Sequence, residues 1–146
     1  MPAGIWTPTN QARTIMWNRY VNGGSAITFK TVLVTSASNI GPGSTTYASL
    51  TGELSTANGY TAGGAPVTLT PSGTTSVQVV FGANPVWTAS GSGLTARTAA
   101  VVDSAGNIMF YVALDTTNGG QDVSVAAGNT LTIDSDGTPS PVITIA

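Results

Sequence analysis

The chain has 146 residues, 41% of them hydrophobic, with a mean hydropathy of +0.22, which predicts one folded domain around a single core and excludes wholesale disorder. Only 7% of the residues are charged, where an ordinary soluble domain has about a quarter, and a net charge of -2 gives no field to draw in a nucleic acid. Histidine and cysteine are absent, so disulfides, thiolate metal sites and the base of a hydrolase triad are excluded together.

No apolar run reaches the roughly 20 residues of a membrane helix, which argues against a membrane partner. The segment Met1 to Trp6 lacks the basic and apolar regions of a secretory signal. The expectation is a protein made in a cytosol.

Residues 1–9 hold two prolines and an isolated Trp6, a composition suited to an extended arm. Trp6 either anchors that arm in a neighbour or covers one end of its own core. Residues 10–146 then form a single β-rich domain. Within it, Ala12, Ile15, Met16 and Arg19 recur at helical spacing, with Thr9 or Asn10 available as a cap and Gly23-Gly24 as a stop. A helix is predicted over about 10–21. Arg13 and Arg19 fall on different faces of it; a plain solvated face is the favoured reading, and the alternative has one of them pairing with an acid on a neighbour while the other is solvated.

The period then changes to two. Ile27, Phe29, Thr31, Leu33 and Thr35 alternate with Thr28, Lys30, Val32 and Val34, predicting a strand over about 26–35. Residues 36–66 are rich in Ser, Thr, Gly and Asn, with breakers at Gly41-Pro42-Gly43, Asn58-Gly59 and Gly63-Gly64. They read as a long ordered loop or a set of short edge strands, and loops of this length carry function or contacts.

Strands are predicted next at 67–70, 76–82, 86–89, 94–103, 107–115, 122–125, 130–133 and 142–145. A hairpin from Leu94 to Leu114 turns at Asp103-Ser104-Ala105-Gly106-Asn107, and Ala126-Ala127-Gly128-Asn129 is expected to join two short strands in the same way. The fold class is mainly β: an antiparallel, jelly-roll-like β-sandwich with one short N-terminal α-helix.

Strand edges in monomeric β-proteins are guarded by lysine, other charges or proline. Between Lys30 and Arg97 the only formal charge is Glu53, although Pro66, Pro71 and Pro85 bracket the uncharged strands. Those edges are expected to lie inside the fold or under another subunit, and self-association is expected.

Few groups offer chemistry. Asp134-Ser135-Asp136-Gly137 resembles the opening of a calcium loop but lacks the downstream glutamate, and it reads as a turn. Glu53 pairs on paper with Asp103, Asp115 or Asp122 as a glycosidase would require, yet no spacing singles out a pair. Gly91-Ser92-Gly93 lacks the lysine of a phosphate cradle. No enzyme activity, catalytic residue, cofactor or metal is expected. Trp6, Trp17, Trp87, Tyr20, Tyr47 and Tyr60 would make a sugar-stacking face if several were exposed together, but core duty is expected of most of them.

The order of elements carries one resemblance. A helix, an apolar strand, Thr46-Tyr47-Ala48-Ser49-Leu50-Thr51-Gly52-Glu53-Leu54, then Asn58-Gly59-Tyr60-Thr61, Trp87 and Val123 to Asn129 follow one another. This resembles a group of small bacteriophage virion proteins (head decoration, cement or tail-fibre-associated) in which a Tyr, a Glu followed by an apolar residue, and a Gly-Tyr pair recur. Thr61 departs from that pattern, which often has a basic residue there. The resemblance implies a structural role in the virion, with the major capsid protein or other virion subunits as partners. A decoration protein would bridge capsomers in many copies, each through a modest interface. The alternative is a tail or tail-fibre component that binds a host surface glycan. The lack of collagen-like or coiled-coil repeats favours decoration. Trp6, Arg13, Trp17, Arg19, Tyr47, Glu53 and Tyr60 are the candidate interface residues.

Overall fold

The computed structural model describes residues 3–135 and a last strand at 143–145. In chain order the elements are β1 (Thr7–Pro8), α1 (Ala12–Val21), β2 (Phe29–Val34), β3 (Ala65–Val67), β4 (Leu69–Ser72), β5 (Val77–Phe81), β6 (Val86–Thr88), β7 (Leu94–Ala96), β8 (Thr98–Asp103), β9 (Ile108–Ala113), β10 (Val123–Val125), β11 (Thr130–Thr132) and β12 (Ile143–Ile145). The protein is mainly β, with antiparallel sheets and one short N-terminal helix.

The main sheet has five strands in the order β1-β9-β8-β2-β3. Its centre, β8, is buried along its whole length. A strand covered on both faces reads as a continuous apolar run rather than an alternation, and Ala99-Ala100-Val101-Val102 is such a run. Ala99 and Val101 join Leu33, Phe110 and Val112 in the larger core, whereas Ala100 and Val102 join Val32 and Ile108 in a smaller one.

A bulge divides β9 between these cores. Val101 pairs with Phe110 but Val102 pairs with Ile108, leaving Met109 as the extra residue. Ile108 and Phe110 would otherwise share a face; the bulge sends them to opposite ones.

The larger core collects Trp6, Tyr60, Phe81, Trp87 and Leu94 from the N-terminal segment, the long loop and the smaller sheets. Those sheets are β12-β5-β4, β10-β7 and β11-β6. Ile40, Tyr47 and Leu50 of the long loop cover the smaller core. The strand pairing among the described residues closes no barrel.

Three of the edge strands are guarded by proline. Pro8 in β1, Pro66 in β3 and Pro71 in β4 stand opposite Phe110, Lys30 and Val79. Each removes one backbone donor from an edge strand, so the edges are blunted without charge.

Several expectations change in the structure. Of the arm expected at 1–9, residues 3–9 are extended, but they lie on their own sheet: Gly4 N donates to the Ala113 carbonyl, and Thr9 Oγ1 donates to that of Ile108 at 2.7 Å. Met1 and Pro2 lie outside the described residues. The helix starts at Ala12 with Gln11 before it and no side-chain cap, so neither Thr9 nor Asn10 serves as one. Thr9 is occupied by β9 instead.

The strand expected from 26 begins at Phe29, where β3 and β8 first supply partners. The strand expected at 67–70 is two, since Val67 pairs with β2 and Leu69 with β5. The strand expected at 94–103 also splits at Arg97, with β7 pairing β10 and β8 pairing β2 and β9.

The turn at 126–129 does not make a hairpin, because β10 pairs with β7 and β11 with β6. Ala89 takes up its backbone, receiving the Gly128 amide at 2.8 Å and donating to the Asn129 carbonyl at 2.8 Å. The strand expected at 142–145 is seen at Ile143–Ile145. Val142, together with Asp136 and Gly137 of the calcium-like stretch, lies outside the described residues.

Candidate functional site

The loop between β2 and β3 is irregular but stitched throughout. Asn39 Oδ1 receives the Thr51 amide at 2.9 Å, and Asn39 Nδ2 donates to the Ser49 carbonyl at 2.9 Å. Glu53 is then laid beside the end of β2, with Thr35 N donating to Gly52 O at 2.8 Å and Leu54 N to Leu33 O at 3.0 Å.

The Asn58-Gly59 turn places Tyr60. Both turn residues have positive φ, 54° and 93°, and a Cβ on Gly59 would stand 1.9 Å from the Thr88 carbonyl oxygen, so only glycine lets the turn seat against β6. Reciprocal bonds between Ala57 and Tyr60 close it. Tyr60 is thereby driven into the core at 2% exposure, with its ring 6.0 Å from that of Trp87.

Glu53 is the hub of this arrangement. Its Oε1 accepts the Tyr60 hydroxyl at 2.8 Å and the Gly63 amide at 2.7 Å, while Oε2 accepts the Tyr47 hydroxyl at 2.5 Å. The Tyr60 oxygen in turn accepts the Leu33 amide at 3.2 Å. Burial, reinforced by the Glu53 carboxylate, pushes Tyr47 up to about 12, and Tyr60 is raised further, burial again being the largest cause. Both phenols stay protonated and donate, so the cluster fixes a loop rather than supplying a nucleophile.

On the outer side of Tyr47, Lys30 Nζ lies 4.0 Å from the ring centroid. An open groove of about 540 Å³ begins there, bounded by Phe29, Pro66, Val102 and the Asp103 to Gly106 turn. Tyr47 N donates to Gly106 O at 2.8 Å, tying the loop to that turn.

The acids considered as a catalytic pair are each held locally. Asp103 accepts Ala105 N and Asn107 N on Oδ1 and Asn107 Nδ2 on Oδ2; Asp115 accepts the Thr117 amide and hydroxyl; Asp122 pairs with Arg97 at 2.7 Å. The bonds from Thr117 hold the Asp115 carboxyl below the usual carboxylate range. Among the described residues no three acids converge as a metal site would require.

The candidate residues therefore divide. Tyr47, Glu53 and Tyr60 come together. Trp6 is buried at 4% and meets Phe81 edge-to-face, so of its two readings the structure has the one in which it covers its own core. Arg13 is exposed, and Arg19 Nη1 donates to Ser25 O at 3.3 Å.

Trp17 points away from the core and is 60% exposed, beside Tyr20 at 81% and Val21 at 72%. The two rings meet edge-to-face at 5.9 Å. The six-aromatic face considered for sugar stacking does not form, because Trp6, Trp87 and Tyr60 are interior.

Lys30 and Val21 were not singled out from the sequence as site residues, and Tyr20 only as part of the six-aromatic face. Signals for them were present. Lys30 is the single lysine, and Trp17 and Tyr20 lie three apart on a helix whose inward stripe is Ala12, Ile15 and Met16.

Comparison with protein-family models, with curated proteins and with solved structures finds no match to this chain.

Proposed function

We propose that the protein is a structural component of a bacteriophage virion, a decoration protein that binds the outer shell and bridges its capsomers. The observation that carries this reading is the outward face of α1. Trp17, Tyr20 and Val21 are exposed side by side on a protein whose other aromatics are buried or half-buried, and such patches mark protein contacts. Trp, Tyr and Arg are the residues that dominate interface energies. Arg13 and Arg19 accompany them, and α1 carries no acid, so the complementary surface is an apolar patch with an acidic rim.

The sparse charge and the proline-blunted edges support the same reading, since copies of this chain can crowd on a shell without mutual repulsion or edge-to-edge fusion. The reading takes the smaller sheets to lie over one face of the main sheet as a sandwich. The larger core supports this, joining Leu33 and Phe110 of the main sheet to Phe81 and Trp87 of the smaller ones.

Co-sedimentation with expanded phage shells tests the proposal. Saturable binding at fixed stoichiometry is expected, and Trp17→Ser with Tyr20→Ser should abolish it in a protein that still folds. Wild-type protein left entirely in the supernatant would overturn the reading, and binding to host cells instead would favour a tail component.

A further inference from the structure

We propose that Asn22 is a self-modifying site, where the chain converts a side-chain amide to a carboxylate at the end of α1, and that the fold withholds the same reaction from Asn58. The chemistry stands apart from the shell-binding role; only its consequence for the face of α1 rests on that reading.

The chain has three Asn-Gly steps, at 22–23, 58–59 and 118–119. An asparagine followed by glycine closes on itself readily, because no Cβ shields the backbone nitrogen that attacks. The glycine nitrogen gives its proton to hydroxide and bonds to the asparagine Cγ; the Cγ–Nδ2 bond breaks, and the departing nitrogen takes protons from water and leaves as ammonia. Water then opens the five-membered imide at either carbonyl, giving aspartate or its isomer with the main chain routed through the side chain. Hydroxide and water are the only co-reactants.

Asn58 is locked against this step. Its Oδ1 accepts the Ser92 amide at 3.1 Å and its carbonyl accepts the Ser90 amide at 2.9 Å, while the bonds between Ala57 and Tyr60 close the turn around it. Gly59 is pressed so closely on β6 that a Cβ would lie 1.9 Å from the Thr88 carbonyl oxygen. The ring closes only if that turn opens, and the turn seats Tyr60 in the core.

Asn22 has none of these restraints. It is the exposed residue that ends α1, with φ -98° and ψ 9°, and its side chain makes no hydrogen bond among the described residues. Two backbone bonds hold it, Asn22 N to Asn18 O and Gly24 N to Arg19 O, each at 2.9 Å. Both belong to the last turn of a helix whose one fully buried residue, Ala12, is at the other end. Helix ends with few buried contacts open at little cost. Residues 23–26, which must move when the Asn22–Gly23 peptide rotates, are exposed, and a Cβ on Gly23 would meet nothing within 4 Å. Asn118 is exposed as well and open to the same reaction, but only Asn22 adjoins Tyr20 and Val21.

The product is a carboxylate just beyond Arg19, on a helix that carries no acid in its first turn and a basic residue in its last. An anion at the carbonyl end of a helix is disfavoured, and it offsets the charge of Arg13 and Arg19. On the shell-binding reading, the face of α1 loses its match to an acidic rim as the protein ages.

The test holds the full chain in mildly alkaline buffer, with a parallel sample in concentrated urea, and follows tryptic peptides by mass over time. Trypsin separates the three steps, cutting after Arg19, Lys30 and Arg97. In buffer the peptide with Asn22 should gain the mass difference between an amide and an acid, as two isomers, at least about tenfold faster than the peptide with Asn58. In urea the two rates should converge, because the fold alone tells the steps apart. Asn22→Gln, which would need a larger ring, should remove the change from its peptide. Equal rates in buffer, Asn58 converting ahead of Asn22, or the same gap in urea would each overturn the assignment. In co-sedimentation, Asn22→Asp should bind shells about twofold or more weakly than the wild type. Binding as tight as the wild type would overturn the consequence for α1, whereas wild-type protein that never sediments defeats the shell reading and leaves the peptide map to decide the modification.

Discussion

Glu53 and Tyr60 are bonded at 2.8 Å, and through that bond the carboxylate reaches the Leu33 amide in the main sheet, since the Tyr60 oxygen accepts it at 3.2 Å. A surface loop and a core strand are thus joined by one phenol. Removing the acceptor leaves the two tyrosine hydroxyls and the Gly63 amide without their partner. Glu53→Ala should cost about 3 kcal/mol and Glu53→Gln about 1–2 kcal/mol, because the amide oxygen still accepts but without charge. Urea denaturation of the variants checks both the size and the order.

The same cluster sets an alkaline limit. A tyrosine in the unfolded chain titrates near 10, whereas Tyr47 in the fold is pushed up to about 12 and Tyr60 is raised further. The folded state therefore holds these protons more tightly. Their contribution is complete below about pH 10 and is lost as pH rises through about 12. The urea midpoint should fall across that window. In Tyr47→Phe the part of the slope due to Tyr47 should vanish, and an unchanged slope would contradict the assignment.

How far this hub was legible in the sequence has a physical answer. Tyr47, Glu53 and Tyr60 stand out as the polar and aromatic residues of a Ser-, Thr- and Gly-rich stretch, and Asn58-Gly59 announces a tight turn. Their convergence is set by where Leu33 and Thr88 lie, and no local pattern records that. The strands show the same division. Val101 and Val102 read correctly as strand, but the break at Arg97 arises because β7 finds β10 and β8 finds β2, partners distant in sequence. Residues 126–129 read as a turn, and they are one, yet their flanking strands pair elsewhere because Ala89 occupies the turn's backbone. Local propensity gives element type, whereas pairing is decided by the whole core.

Thr31 tests that core directly. It is fully buried in β2 of the main sheet, and its hydroxyl has no hydrogen-bond partner among the described residues. Valine has nearly the same shape and no polar atom to desolvate. Thr31→Val should raise stability by about 1 kcal/mol, visible as a higher urea midpoint at an unchanged denaturant slope. A loss of stability would mean that the hydroxyl is satisfied.

The two N-terminal tryptophans should behave oppositely. Trp6 packs edge-to-face on Phe81 with its ring 5.4 Å away, and its Nε1 donates to the Asp134 carbonyl at 3.3 Å. Truncating it opens a large cavity and removes that hydrogen bond, so Trp6→Ala should cost about 3–5 kcal/mol. Trp17 touches little beyond Tyr20, and Trp17→Ser should change stability by no more than about 0.5 kcal/mol. That outcome would leave the face of α1 free for the contact proposed for it. If Trp17→Ser instead unfolds the protein, the face of α1 is packing surface, and the basis for assigning it to a partner is gone.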